Sequence, residues 1–385
     1  MKRSYHYILI GSISLAVVVA AIIFSRKETI EPNFDRKAEV TDTIPHTPTS
    51  SPSPQETPPP VNIAERLDAV LAQLAASREP NANRQVLAEL RRFLESLPPA
   101  IASRELRKFL EANKDAATNL DLNVKAGGQL GDASSLRVFL LDYLGQIDRA
   151  AAGVIAAQIL SQYTTPDEWA VSLRNYAWAN PGPDGDAYLQ SKSRELLSNA
   201  AWLQNPSPGY LEAFDTIVHA RGTALTPELT TLVRDKEHRA TAHAAYLTLD
   251  RLTITEPAAM LKQLVEQPDL MQGREQTRAN FLARADVRQP EQRALVEQYL
   301  LDPARTPEEL VTFAGLYPNA NYMISNNLLT ATETPKHADL IAHDLAALEA
   351  VRAWENDTRF AALKPHLETM RKRLENFVQQ AAANP

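Results

Sequence analysis

No cysteine occurs anywhere in the chain. That excludes disulfides, thiolate zinc sites and cysteine nucleophiles together, and is compatible with either side of a membrane. An excess of basic residues is also missing. Of 40 basic and 47 acidic side chains, the first sixty residues hold six of each sign, so residues 61–385 carry 34 against 41 and the whole formal charge of −7. A mildly acidic surface argues against general nucleic-acid binding, which needs a basic face to release phosphate counterions. From Ile8 through Phe24 charge is absent altogether.

That last absence is the most informative. With Tyr5 to Tyr7 included the apolar run is about 20 residues, enough at ~1.5 Å rise per residue to cross a bilayer core of roughly 30 Å. Lys2 and Arg3 precede it and Arg26 and Lys27 close it, as snorkelling cations would, while Tyr5 and Tyr7 suit the headgroup region. The sequence therefore predicts a signal-anchor over 1–27. The alternative is a cleaved signal peptide, with small residues at Val19-Ala20-Ala21; against it, Ile22-Ile23-Phe24 extends the apolar run past that site. A short amino-terminal tail favours a cytoplasmic amino terminus and an exported carboxy-terminal domain. The expected location is a bacterial inner membrane, single-pass, with that domain in the periplasm.

Residues 28–61 read as a disordered linker. Between Thr41 and Pro60 seven prolines (45, 48, 52, 54, 58, 59 and 60) stand among Ser and Thr, a composition that buries too little to fold and favours extended polyproline II. At ~3.1 Å per residue, the stretch from Thr41 to Pro60 reaches up to roughly 60 Å. It acts as a spacer, with a Pro-rich ligand for a groove-binding domain as the alternative.

Beyond the linker the pattern is helical almost throughout, and the expected fold class is all-α. Ile63, Leu67, Val70, Leu71 and Leu74 form one stripe, and Val86, Leu87, Leu90, Phe93, Leu94 and Leu97 the next, at three- and four-residue steps. Thr165-Pro166-Asp167-Glu168, Thr226-Pro227-Glu228 and Thr306-Pro307-Glu308-Glu309 each place a capping hydroxyl before a proline and acids in the first turn. These and similar punctuation marks put helix-pair starts near 132, 165, 206, 238, 273, 306 and 335. Such a period is that of helical-hairpin repeats, α-solenoids that are HEAT- or TPR-like in period only. The organisation is thus an N-terminal helical cap (62–113), a loop (114–131) around Gly127-Gly128 and Gly131, and a repeat array (132–385). Leu136 to Leu160 is apolar around the whole helix, but Arg137, Asp142, Asp148 and Arg149 interrupt it too often for a membrane span. It is expected at the buried middle.

No strong catalytic signature is present, and no catalytic, cofactor or metal residue is assigned. His238 and His243 stand five apart, which on a helix turns their rings about 140° from one another, and His337 with His343 reads the same way. Gly127-Gly128-Gln129-Leu130-Gly131 lacks the Gly-Lys-Ser/Thr ending of a phosphate loop. Asp184-Gly185-Asp186 lacks the remaining ligands of a calcium loop. Asp167-Glu168 and Glu308-Glu309 sit where acids complement a helix dipole, and Arg371-Lys372-Arg373 reads as a solvated face.

One local enrichment remains. Three of the four tryptophans fall within fifty residues, among several tyrosines, so Trp169, Tyr176, Trp178 and Trp202 are the candidate partner-binding aromatics. Rings facing solvent on one concave wall would favour binding, whereas rings filling gaps between helices would not. The expected function is a membrane-anchored helical-repeat scaffold for protein–protein contact at the cell envelope, without catalysis. Its expected partners are the membrane, through the N-terminal helix, and unidentified proteins, with no nucleic acid. An envelope glycan-processing enzyme on an α-superhelical scaffold and a self-associating structural organiser are the alternatives.

Overall fold

The computed structural model describes residues 62–383; the signal-anchor and the linker lie outside them. The described chain is an all-α fold, 72% helix overall, with a single two-stranded ribbon. Three helices come first, α1 (Ile63–Ala76), α2 (Pro80–Glu95) and α3 (Pro99–Glu111). Ile63, Leu67, Val70 and Leu74 are buried on α1 and Val86, Leu87, Leu90 and Leu94 on α2, so the stripes read from the sequence are the packed faces. Asn62 caps α1 by accepting from the Glu65 N–H at 3.3 Å.

The irregular stretch after α3 contains the ribbon, β1 (Asn123–Val124) and β2 (Leu130–Asp132), antiparallel with Val124 opposite Leu130. Buried Asn83 of α2 donates to the Thr118 carbonyl at 2.8 Å and ties this stretch to the first three helices. Helices α4 (Leu136–Ile147), α5 (Arg149–Leu160), α6 (Pro166–Ala179) and α7 (Pro183–Ser198) come next. All ten residues from Leu136 to Gly145 are buried, because α3, α5 and α6 all pack on α4. Among the described residues no helix is long and apolar enough to cross a membrane.

The charges inside α4 are each answered by a partner. Asp142, fully buried, accepts from Arg174 Nη1 at 2.7 Å, from Gln146 Nε2 at 2.7 Å and from the Leu130 N–H at 3.1 Å. Arg174 also bonds the Gly128 carbonyl and Asn175, and the Trp178 ring lies over its guanidinium. Burial alone lowers the Arg174 pKa, and the Asp142 carboxylate opposes that shift.

The chain continues through the short helices α8 (Ala200–Gln204), α9 (Pro208–Glu212) and α10 (Asp215–His219), then α11 (Thr226–Arg234), α12 (Arg239–Thr255), α13 (Pro257–Glu266), α14 (Glu275–Leu282), α15 (Pro290–Leu301), α16 (Pro307–Leu316), α17 (His337–Glu355) and α18 (Lys364–Ala383). Most helices pack on those next to them or next but one in the chain. Helices begin at Leu136, Pro166, Pro208, Arg239, Glu275, Pro307 and His337, close to the expected starts, but the intervals are filled unevenly. Two helices occupy some, three occupy each of 166–207 and 208–238, and after α16 an extended segment, residues 318–336, stands where a second helix would.

Two of the three Thr-Pro entrances are capped as expected. Thr165 Oγ1 accepts from the Glu168 N–H at 3.2 Å and Thr306 Oγ1 from the Glu309 N–H at 3.1 Å. Thr226 differs: a 3₁₀ turn over Thr223–Leu225 runs straight into α11, so Thr226 is already helical and its hydroxyl donates backwards to the Thr223 carbonyl at 2.7 Å. The two capped entrances share a second feature. Their glutamates form buried ion pairs with arginines 31 residues earlier, Arg137–Glu168 and Arg278–Glu309, each with N···O of 2.7 Å. Arg137, Thr165, Glu168 and Tyr176 therefore recur at identical spacing as Arg278, Thr306, Glu309 and Tyr317.

Candidate functional site

The extended segment after α16 leaves the packing of its neighbours and crosses to elements more than a hundred residues earlier in the chain. Pro318 starts it, since proline has no N–H to continue a helix and its ring disfavours helical geometry before it. Arg373 of α18 donates to the carbonyls of Gly315 and Tyr317 and fixes the point of departure. The Asn319 N–H then donates to the Ala283 carbonyl at 2.7 Å, and its side chain donates to Asn280 at 2.6 Å. Arg284 completes this anchor by holding Asp250 with two hydrogen bonds (2.7 and 2.9 Å) while donating to the Asn321 carbonyl at 2.6 Å.

Farther along, the segment is clamped once more. Leu328 is fully buried. The next two main-chain N–H groups, of Leu329 and Thr330, both donate to Asp215 Oδ2, at 2.6 and 2.9 Å, and the Thr330 hydroxyl donates to Oδ1 at 2.5 Å. Arg251 of α12 sits 2.8 Å from the same Oδ1. Asp215, buried at the start of α10, thus spends its carboxylate on gripping an extended main chain. The Leu328 carbonyl lies over the ribbon turn, where a Cβ on Gly128 would stand 2.0 Å from it. Gly128 also has φ of 76°, so both the turn and the close approach require glycine there.

Outside these fastenings the segment is exposed. Residues 321–326 are open to solvent, with Met323 53% and Ile324 73% exposed, and a single antiparallel bridge joins Asn326 to Ala331. Its arms stand over unfilled space. A cavity of about 690 Å³ lies between them and the residues Arg251, Ile254, Arg284, Arg288 and His343, and a second of about 240 Å³ is lined by Glu212, His243 and Asp250. The groove is therefore wider than the strap that crosses it.

Its charges are mostly in pairs. Arg288 holds Asp286 at 2.7 Å; burial pushes the Asp286 carboxyl up, but the Arg288 hydrogen bonds and the nearby His343 outweigh it and leave it below the usual carboxylate range. Burial pushes Asp250 up in spite of Arg284. Among the described residues Glu333 and Asp339, at the larger cavity, are not paired, and neither is Glu212. Burial, reinforced by the charge of Asp215 and opposed by Arg251, raises Glu212 to about 7. Among the described residues no group of three or more His, Asp or Glu side chains stands close enough to hold a metal.

The four candidate aromatics lie elsewhere, on α6 and α8. Trp169 and Trp202 are brought together edge to face at 5.2 Å, both buried, with the Trp169 Nε1 donating to the Gln162 carbonyl at 2.8 Å. Tyr163, 67% exposed, stacks on Trp169 at 5.7 Å. Tyr176 and Trp178 are half-buried and have separate partners: Tyr176 stacks on Tyr188 at 4.3 Å, and Trp178 lies under Arg174 and Arg149. The strap residues and Asp215 are not among the candidates that spacing and composition single out. A signal exists nonetheless: from Pro318 to Thr332 no charged residue occurs, and four asparagines interrupt the helical period. No protein-family model, curated protein or solved structure matches this chain.

Proposed function

We propose that this protein is a membrane-anchored helical-repeat scaffold of the cell envelope, held by residues 1–27 and a Pro-rich linker, whose exported α-solenoid docks protein partners in extended conformation. The observation that carries this reading is the Asp215 clamp: the domain already holds one extended chain by two consecutive main-chain N–H groups, beside a groove with room for more. Packing mostly between neighbours in the chain supports the repeat-array part, since a solenoid exposes long surfaces in this way. No catalytic step is assigned, and self-association remains an alternative use of the same surface.

A photo-crosslinking amino acid at Ile254, which lines the larger cavity, tests the docking reading in the full-length chain in its native envelope. One or a few defined crosslinked proteins are expected from Ile254, and none from Phe377 on α18. Absence of any specific adduct from the groove would overturn the reading. A second reading, an envelope glycan-processing enzyme, draws on Glu212, whose pKa of about 7 suits a general acid; it requires hydrolysis of cell-wall glycan that Glu212→Gln abolishes.

A further inference from the structure

The strap is fastened in a way that a purely structural loop does not need. Beyond its anchor at Pro318 and Asn319, its buried contact is one residue, Leu328, and its polar contact there is made by its own main chain plus one hydroxyl. Main-chain N–H groups are common to all residues but proline, so the Asp215 carboxylate reads conformation far more than identity. Leu328 and Thr330 add what identity there is: one apolar side chain in a buried slot, and one hydroxyl two residues later. The flanking arms add little, being exposed, bridged at one rung and suspended over cavities of about 690 and 240 Å³. They are also uncharged from Pro318 to Thr332, so no ion pair of their own holds them down.

We infer that the site formed by Asp215, Arg251 and the turn at Gly128 is a receptor for an extended polypeptide, and that the strap is its resident competitor. The occupant it fits is an uncharged extended segment of a partner protein carrying a bulky apolar residue followed two positions later by Ser or Thr. Recognition uses the peptide-in-groove mode, in which main-chain hydrogen bonds supply affinity and alternate side-chain pockets supply selectivity. Asp215, with Arg251 at 2.8 Å, presents both oxygens to the chain. Gly128 keeps the opposite wall free of a side chain, so the peptide carbonyl can approach. Release of the strap opens the slot and joins it to the space beneath the arms. The strap is part of the same chain, so a partner competes against its high local concentration, and binding is weak until the strap is displaced.

This rests on the docking reading above, and its test is independent of it. The probe is a fluorescent synthetic peptide copying residues 325–332 of this chain, added to the full-length protein in detergent. Leu328→Asp in the protein places a carboxylate in the buried slot and expels the strap. That variant is expected to bind the peptide at least tenfold more tightly than the unaltered chain, and a peptide with Asp at the Leu328 position is expected not to bind. Equal, negligible binding by both proteins, with the helical circular-dichroism signal intact, overturns the inference. Should the variant not fold, amide exchange in the unaltered chain decides: the N–H groups of Leu329 and Thr330 are expected to exchange far faster than that of Leu249 in the α12 core. Exchange at one common rate for all three means the strap opens only with the whole domain, and the inference falls. Peptide binding without any crosslinked envelope protein would leave the site standing and sink the scaffold.

Discussion

Two stretches of this chain begin alike and end differently. From Arg137 to Tyr176 and from Arg278 to Tyr317 the same landmarks recur: an arginine, a Thr-Pro helix entrance, a glutamate buried against that arginine, and a tyrosine eight residues on. After Tyr176 the helix continues to Ala179 and a second helix, α7, comes next. After Tyr317 stands Pro318, where the first stretch has Ala177, and the chain departs as the strap. One unit is completed by its own neighbour, the other by residues drawn across the molecule. The glutamate–arginine pair thus belongs to the unit, while the chain beyond the tyrosine is free to be used otherwise.

The strongest test of that likeness is to remove the shared ion pair from each unit. Glu168→Ala and Glu309→Ala leave Arg137 and Arg278 buried without a partner, and each is expected to cost about 3–5 kcal/mol in urea unfolding. Similar losses uphold the equivalence, whereas a negligible loss for one alone would break it.

The next effect separates the two endings. Truncating Leu328 to Ala is expected to weaken strap closure by about 2–3 kcal/mol, as seen for buried leucines, read from amide exchange at Leu329 and Thr330. Truncating Leu189, buried on α7, should cost a comparable amount but appear in the urea midpoint of the whole domain. If Leu328→Ala moves the global midpoint as far, the strap is an ordinary part of the core.

Glu212 provides a smaller effect with a defined sign. Its carboxyl is raised from 4.5 to about 7 in the folded protein. Below pH 4.5 it is protonated in folded and unfolded chains alike; as pH climbs from there through 7 the unfolded chain releases the proton first, and stability falls. Allowing for solvent screening at this partly exposed site, Glu212→Gln should remove roughly 1–2 kcal/mol of that decline between pH 5 and pH 8. A variant whose urea midpoint keeps the same pH slope would contradict the assignment. The smallest change is expected at the helix entrances, where Thr165→Ala and Thr306→Ala should each cost ~1 kcal/mol, measured by thermal unfolding.

The local features are readable from residues alone because their causes are local. Apolar spacing marks the faces of α1 and α2, and hydroxyl-proline-acid runs mark the starts of α6 and α16. Thr226 misleads, since a 3₁₀ turn ahead of it absorbs the entrance, and such a turn depends on how Gly222 to Leu225 pack. The ribbon at Asn123–Asp132 is too short to declare a strand period. The groove lies farther from reach: Asp215 and Thr330 meet only through the folding of everything between them, and no spacing rule connects them. The aromatic cluster stands out because tryptophan is rare, and the uncharged Asn-rich run does not because polar uncharged residues are common in loops.

Pro318 sets the end of one helix, and Asn319 with Arg284 holds the chain just beyond it. From there to the start of α17 the strap has one fastening, at Leu328 to Thr330. A line tied at one point between two fixed ends has no half-open state, so its release is a single kinetic event. The residues that this fastening shelters, Asn327 to Thr330, would then become accessible at the same instant and at the same rate, so a protease that cuts among them would report one opening constant, whereas Tyr322 to Asn326 are open already.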